Sequence, residues 1–186
     1  MNEAVRSWSS LEPDAGLLSH VSPFVQEIHI RKINGTITDI VGRLHFNTIL
    51  YIDVLEHIAD DAAEISRATK LLDAHYEYFG RIIIVSPAHD QLFSEFNKKI
   101  GHVRRYDAAS IIALAPDGFV IRRLLYLDSA GYFLSLANRF LLKQNRPTLG
   151  QIIFLDKIII PLSRIFDRIL FHKFGKTVVA IFESEC

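Results

Sequence analysis

Between Asn47 and Asp61 the apolar run Thr48-Ile49-Leu50-Tyr51-Ile52 leads directly into Asp53, Glu56 and His57, and Asp60-Asp61 then opens a helical pattern. Few folds accept that order. A continuous apolar run rich in β-branched and aromatic residues reads as a strand buried on both faces, which is the signature of a parallel sheet. The polar cluster falls at the strand's carboxyl end, where open α/β sheets bind their ligands. Phe46 to Ile52 is therefore expected as a strand. An aspartate at 60 or 61 caps the next helix, whose apolar stripe is Ile65, Ala68, Leu71 and Leu72.

The same grammar repeats along the chain. Ser10 to Asp14 reads as the end of a strand turning at Pro13 into a helix over Gly16 to Ser19. Phe24 to Arg31 and Ile33 to Ile40 suggest a strand and a connecting turn at Asn34-Gly35. Arg81 to Ser86 is a second apolar strand stopped by Pro87. Asp107 caps a helix that ends at Pro116-Asp117-Gly118, and Phe119 to Leu127 and Thr177 to Glu183 complete the strands. Strands alternating with helices imply a parallel sheet. A helical insertion over 131–172, broken at Asn145-Arg146-Pro147, precedes the last strand.

With 186 residues, a single domain is expected. A net charge of zero gives no reason to expect nucleic acid. Cys186 is the lone cysteine, which excludes a disulfide framework and a cysteine-based zinc site, and no other metal set is expected. A reducing, cytoplasmic setting fits, with no apolar leader visible in Met1 to Ser10.

Asp53-Val54-Leu55-Glu56-His57-Ile58 resembles the loop after the fourth strand of class I S-adenosylmethionine-dependent methyltransferases. Pro87-Ala88-His89 and Gly101-His102-Val103-Arg104-Arg105-Tyr106 resemble the stretch after strand five in one subgroup of that family. The resemblance implies a Rossmann-like α/β/α fold covering the chain from about Leu11 onward. It places Glu12 on the ribose hydroxyls of S-adenosylmethionine, Thr36 along the adenine, and Tyr51 and Asp53 toward the methionine end. His57, His89 and His102 are the candidate general bases, since imidazole titrates near neutrality. Arg104, Arg105 and Tyr106 would face the acceptor, with pairing of the arginines to Glu56, Asp53 or Asp60 as the structural alternative.

The sequence departs from the family in two places. Met1 to Ser9 holds no glycine, so the Gly-x-Gly turn that lets backbone approach the cofactor is not seen, and the fold is expected to be N-terminally incomplete. The central first strand goes with it. Its absence would leave a sticky edge, for which a homodimer is one resolution. The stretch Asp73 to Gly80 also replaces the family's short turn before strand five, and suggests a bulged loop.

Transfer of a methyl group to a small or lipid-like acceptor is the expected function. The alternatives are a catalytically silent scaffold with the same fold and a nucleotide-binding enzyme of other chemistry, such as a dehydrogenase. The second is disfavoured because no Gly-x-Gly-x-x-Gly follows a strand. Residues 151–170 are very apolar and carry Pro161, expected to kink or divide the helix. That stretch is expected to cover the sheet, with a lid over a lipid-like acceptor or a peripheral membrane contact as the sharper reading. Its polar side, with Asp156, Lys157, Arg164, Asp167 and Arg168, mixes both signs, which counts against a dedicated membrane anchor.

Overall fold

The computed structural model describes residues 7–21, 30–72, 79–137 and 149–185. The expected strand residues Phe24 to His29, most of the Asp73 to Gly80 loop and the Asn145-Arg146-Pro147 break fall outside them. Chain contacts divide the protein into two compact units, Met1–His45 and Phe46–Cys186.

The first unit is a parallel strand pair, β1 (Trp8–Glu12) and β2 (Ile30–Asn34), with Glu12 in register with Asn34. The second strand therefore ends where the turn was expected, but it begins at Ile30 among the described residues. Helix α1 (Ala15–His20) starts on Asp14, whose carboxylate accepts from the Gly16 and Leu17 amides at 2.7 and 3.0 Å. Thr36 and Asp39 form a capping box that opens the short helix α2 (Ile37–Ile40), and Ile37 and Ile40 are buried.

The second unit contains β3 (Thr48–Ile52), α3 (Asp61–Thr69), β4 (Arg81–Pro87), α4 (Glu95–Lys99), α5 (Ala108–Ala113), β5 (Phe119–Leu127), α6 (Ser129–Ala137), α7 (Leu149–Phe154), α8 (Ile160–Ile169) and β6 (Thr177–Ser184). Its sheet runs in the order β3-β4-β6-β5. The pair β3–β4 is parallel, while β6 lies antiparallel between β4 and β5. Sequence reading placed these strands to within two residues, because each is a β-branched run closed by a polar or turn-forming residue. Pro87, expected to stop β4, is its last paired residue, opposite Thr177.

The core sits on one face of this sheet. Ile82 and Ile84 pair with Phe182 and Ala180, and all four are fully buried. Helix α3 packs there with Ile65 and Ala68 buried, Leu71 just beyond its end is buried too, and the Tyr51 hydroxyl reaches Glu64 of the helix at 3.3 Å. Burying a set of aliphatic side chains of this size stabilises by roughly 1.5–3 kcal/mol each before entropy is counted. On β3 the opposite face exposes Leu50 and Ile52, and the strand's outer edge has no ladder partner among the described residues.

Between β5 and β6 stand the expected insertion helices. Pro161 does not break them apart. A π-helical turn over Leu155–Ile159 directly precedes it, and the helix continues through α8. Widening the turn makes room for a ring that cannot donate a hydrogen bond and would otherwise strike the preceding carbonyl.

Candidate functional site

In the second unit, polar groups gather at the carboxyl ends of β3 and β4. Asp53 leaves β3 in a left-handed conformation (φ 51°) while its amide still bonds the Val85 carbonyl at 2.9 Å. A tight turn over Leu55–His57 follows, anchored by the fully buried Leu55. That turn points Glu56 inward and His57 outward. Glu56 is fully buried, and its Oε2 accepts from the Ser86 hydroxyl of β4 at 3.2 Å. Its other oxygen has no hydrogen-bond partner and stands 3.9 Å from His102 Nε2. Burial pushes the Glu56 carboxyl above its usual range, the neighbouring Asp53 charge adds to this, and the Ser86 hydrogen bond opposes it.

His102 comes from the loop after β4, whose ends meet. The Tyr106 amide donates to the Pro87 carbonyl at 3.0 Å, and the His89 amide donates to the Tyr106 carbonyl at 2.8 Å. Inside the loop, α4 is capped by Ser94, whose amide is accepted by the Asn97 side-chain oxygen at 3.0 Å. Asn97 thereby turns its amide nitrogen to His102 Nδ1, 3.2 Å away. Since that amide only donates, Nδ1 accepts, and the neutral ring carries its proton on Nε2, facing Glu56. Burial lowers the His102 pKa, and the adjacent His57 lowers it further. The His57 and His102 rings meet edge to face at 4.6 Å. Gly101, at φ +86°, passes so close that a Cβ would sit 3.4 Å from His57 Nδ1.

Ligand atoms of Glu56, His57 and His102 lie within 4.8 Å of one another, a spacing a metal ion would accept. The protonation pattern opposes one, because ligation through Nε2 requires Nδ1 to hold the proton, and Asn97 occupies Nδ1 as a donor. The group is better described as a carboxylate–imidazole pair with a second, exposed imidazole resting on it.

The expected site residues separate into three groups. His57, His102 and Asp53 come together as described, joined by Glu56, which stands in the polar cluster after the strand but is not among the expected site residues. Its signal was its place beside His57 after a buried strand. Glu12 and Thr36 fall at the same end of the β1–β2 pair, where the Gly35 amide bonds the Glu12 carbonyl at 3.2 Å. The Glu12 carboxylate accepts from the Asp14 amide at 2.9 Å.

The remaining residues take other positions. Tyr51 is buried against α3, and burial pushes its phenol well above the usual range. Arg104 pairs with Asp61 at 2.8 Å, rather than with Glu56, Asp53 or Asp60. Tyr106 is 1% exposed and its hydroxyl reaches Asp61 at 2.8 Å and the Leu55 carbonyl at 3.1 Å. Arg105 donates to the Ala88 carbonyl at 2.8 Å. Arg104 and Tyr106 fasten the loop to the turn after β3 and to α3, while Arg105 ties it to its own start at Ala88, so the expectation that Tyr106 faces an acceptor does not survive its burial. His89 lies apart from the other two histidines. It is held at φ 64°, stacked on Tyr126 of β5 at 5.0 Å and tilted against Tyr132 of α6 at 4.9 Å, and burial lowers its pKa.

No family model matches the chain, and no curated protein matches its sequence. Solved structures do resemble it. A SAM-dependent methyltransferase from Archaeoglobus fulgidus superposes with a TM-score of 0.54 at 10% identity, covering 95% of this chain and 75% of that one. The cyclopropane synthase MmaA2 from Mycobacterium tuberculosis gives 0.53 at 14% identity, over 95% and 69% of the two chains. The plantazolicin methyltransferase BpumL, in complex with a monoazolic desmethylPZN analogue and S-adenosylhomocysteine, gives 0.54 at 8%, over 97% and 67%. The antiparallel β6 between β4 and β5, the parallel β3–β4 pair and these superpositions agree: the chain has the Rossmann-like α/β fold of class I methyltransferases.

Proposed function

We propose that this chain binds S-adenosylmethionine and transfers its methyl group to a hydroxyl of a small or lipid-like acceptor. The observation that carries the reading is the cluster of Asp53, Glu56, His57 and His102 at the carboxyl end of β3, in a fold whose solved examples include methyltransferases. Asp53, at the carboxyl end of β3, would meet the cofactor's methionine end; Glu12 is the residue the resemblance gives to the ribose hydroxyls, and Thr36 the one it gives to the adenine. The cofactor supplies an electrophilic methyl on a sulfonium, so the protein's work is orientation and proton handling.

His57 is the base the geometry favours. It is exposed, whereas His102 has one nitrogen accepting from Asn97 and the other turned to Glu56. It would take the acceptor's proton as the oxygen–carbon bond forms, with its ring held edge to face against His102, whose Nε2 is turned to the buried Glu56. His89, sandwiched by Tyr126 and Tyr132, presents an aromatic wall suited to an apolar acceptor.

Calorimetric titration with S-adenosylmethionine and S-adenosylhomocysteine tests the reading. Micromolar affinity, about −8 kcal/mol, is expected, falling roughly tenfold or more in Glu12→Ala. A folded chain that binds neither compound overturns it. The scaffold reading then stands, and one observation already favours it: among the described residues the β1–β2 pair forms a sheet of its own, with no ladder to the four-stranded one.

A further inference from the structure

Helix α8 is packed the wrong way round for a surface helix. Its two buried residues are polar, Ser163 and Asp167, one turn apart. Leu162, Ile165, Phe166 and Ile169 are exposed instead, at the spacing of a continuous helical stripe, with Ile165 59% and Ile169 61% accessible. Amphipathic helices in soluble proteins normally bury that stripe. Contiguous exposure of large aliphatic and aromatic side chains marks an interaction surface, unlike the scattered apolar residues of any protein.

The loop that follows extends the surface. Phe171 is 80% exposed and sits in the left-handed region at φ 51°. A bulky aromatic is strained there, and the Phe171 side chain is left in solvent.

Charge identifies the occupant. In sequence the polar side of this helix mixes both signs, but the structure removes one acid from it. The Asp167 carboxylate is inside, accepting the Asp128 and Ser129 amides at 3.0 and 2.8 Å. Across 153–173 the exposed charges are then Lys157, Arg164, Arg168 and Lys173 against Asp156. Arg164 and Arg168 lie one turn apart and flank the apolar stripe. None of the four cations forms an ion pair among the described residues.

We propose that α8 and the Phe171 loop form a peripheral membrane-binding face that lies in the interface of an anionic bilayer. The aliphatic stripe and Phe171 would enter the headgroup–acyl boundary, and the arginines and lysines would meet lipid phosphates. No described helix is long and apolar enough to cross a membrane, so the contact is one of lying on the surface. A second copy fits less well, since a two-fold contact through this stripe would bring the same cationic flanks together.

Flotation of the full chain with vesicles tests this without any cofactor, so a negative result leaves the S-adenosylmethionine titration unaffected. Two vesicle types suffice: phosphatidylcholine alone, and phosphatidylcholine with about one third phosphatidylglycerol. Binding to the anionic vesicles is expected, with little to the neutral ones and a steep loss on adding salt. Ile165→Ser with Ile169→Ser should abolish binding while circular dichroism stays unchanged, because both residues are exposed. Arg164→Gln and Arg168→Gln should each weaken it roughly fivefold. No vesicle binding by the folded protein, or binding unaltered by the isoleucine pair, overturns the proposal. So does self-association that the isoleucine pair abolishes in place of vesicle binding, which would make a second copy the occupant.

Discussion

The carboxylate of Glu183, on the central strand β6, accepts from Arg81 Nε of β4 at 3.0 Å and from Arg122 Nε of β5 at 3.1 Å. One largely buried side chain thus ties three strands. Its hydrogen bonds, that from Arg81 foremost, hold the carboxyl below its ordinary value near 4.5. A group whose folded pKa is depressed contributes stability that is complete above the unfolded value and disappears as pH falls through the folded one. Wild-type stability should therefore decline in the acid range below about pH 4.5. Glu183→Gln should be less stable at neutral pH by about 1–2 kcal/mol and show a shallower acid decline, read by urea unfolding across a pH series. An unchanged acid profile in the variant would remove Glu183 from the account.

Among the elements, the insertion shows what a sequence can and cannot disclose. The apolar period of 158–169 was legible and so was the helix, because spacing alone fixes both. Which side of α8 faces inward was not. That depends on a contact distant in sequence: Asp167 and Ser163 reach across to the start of α6. Asp167 accepts the Asp128 and Ser129 amides, and the Ser163 hydroxyl accepts from the Ala130 amide at 3.2 Å and donates to Asp128 at 2.6 Å. Amides that a helix start leaves open are satisfied by the neighbouring helix. Asp167→Ala should cost about 2–4 kcal/mol for two buried donors left unmatched and loosen the insertion before the sheet. Hydrogen exchange would reveal this as faster exchange in α6 and α8 with β4 and β6 still protected; uniform loss of protection would contradict it. The loop after β4 was legible in the same partial way. Its motif stood out, but the partners of Arg104 and Tyr106 lie more than forty residues upstream, at Asp61, and only folding reveals them.

For the molecule as a whole, the order of strands was readable and the continuity of the sheet was not. Among the described residues the parallel β1–β2 pair and the four-stranded sheet are separate ladders, and β3 is an edge with Leu50 and Ile52 exposed on one face. Local sequence reports that a segment is extended, while its neighbours are chosen by pairing over long separations. An unpaired apolar edge favours association with another strand. Sedimentation equilibrium is therefore expected to show self-association of the wild type as concentration rises, and a monomer for Ile52→Lys. A wild type that stays monomeric at high concentration would show the edge to be inert.

The insertion's two ends are joined by the sheet itself. The Lys176 amide bonds the Asp128 carbonyl at 3.1 Å, and the Tyr126 amide bonds the His172 carbonyl at 2.8 Å. At Gly175, where an added Cβ would fall 2.2 Å from the Leu127 carbonyl oxygen, the returning chain lies directly against β5. Everything between Asp128 and Lys176 thus leaves and re-enters the sheet at a single point, like a cassette on a closed hinge. Such a segment can be lengthened, shortened or exchanged in evolution without altering a strand, which lets its outer surface diverge rapidly while the polar cluster at the end of β3 stays fixed.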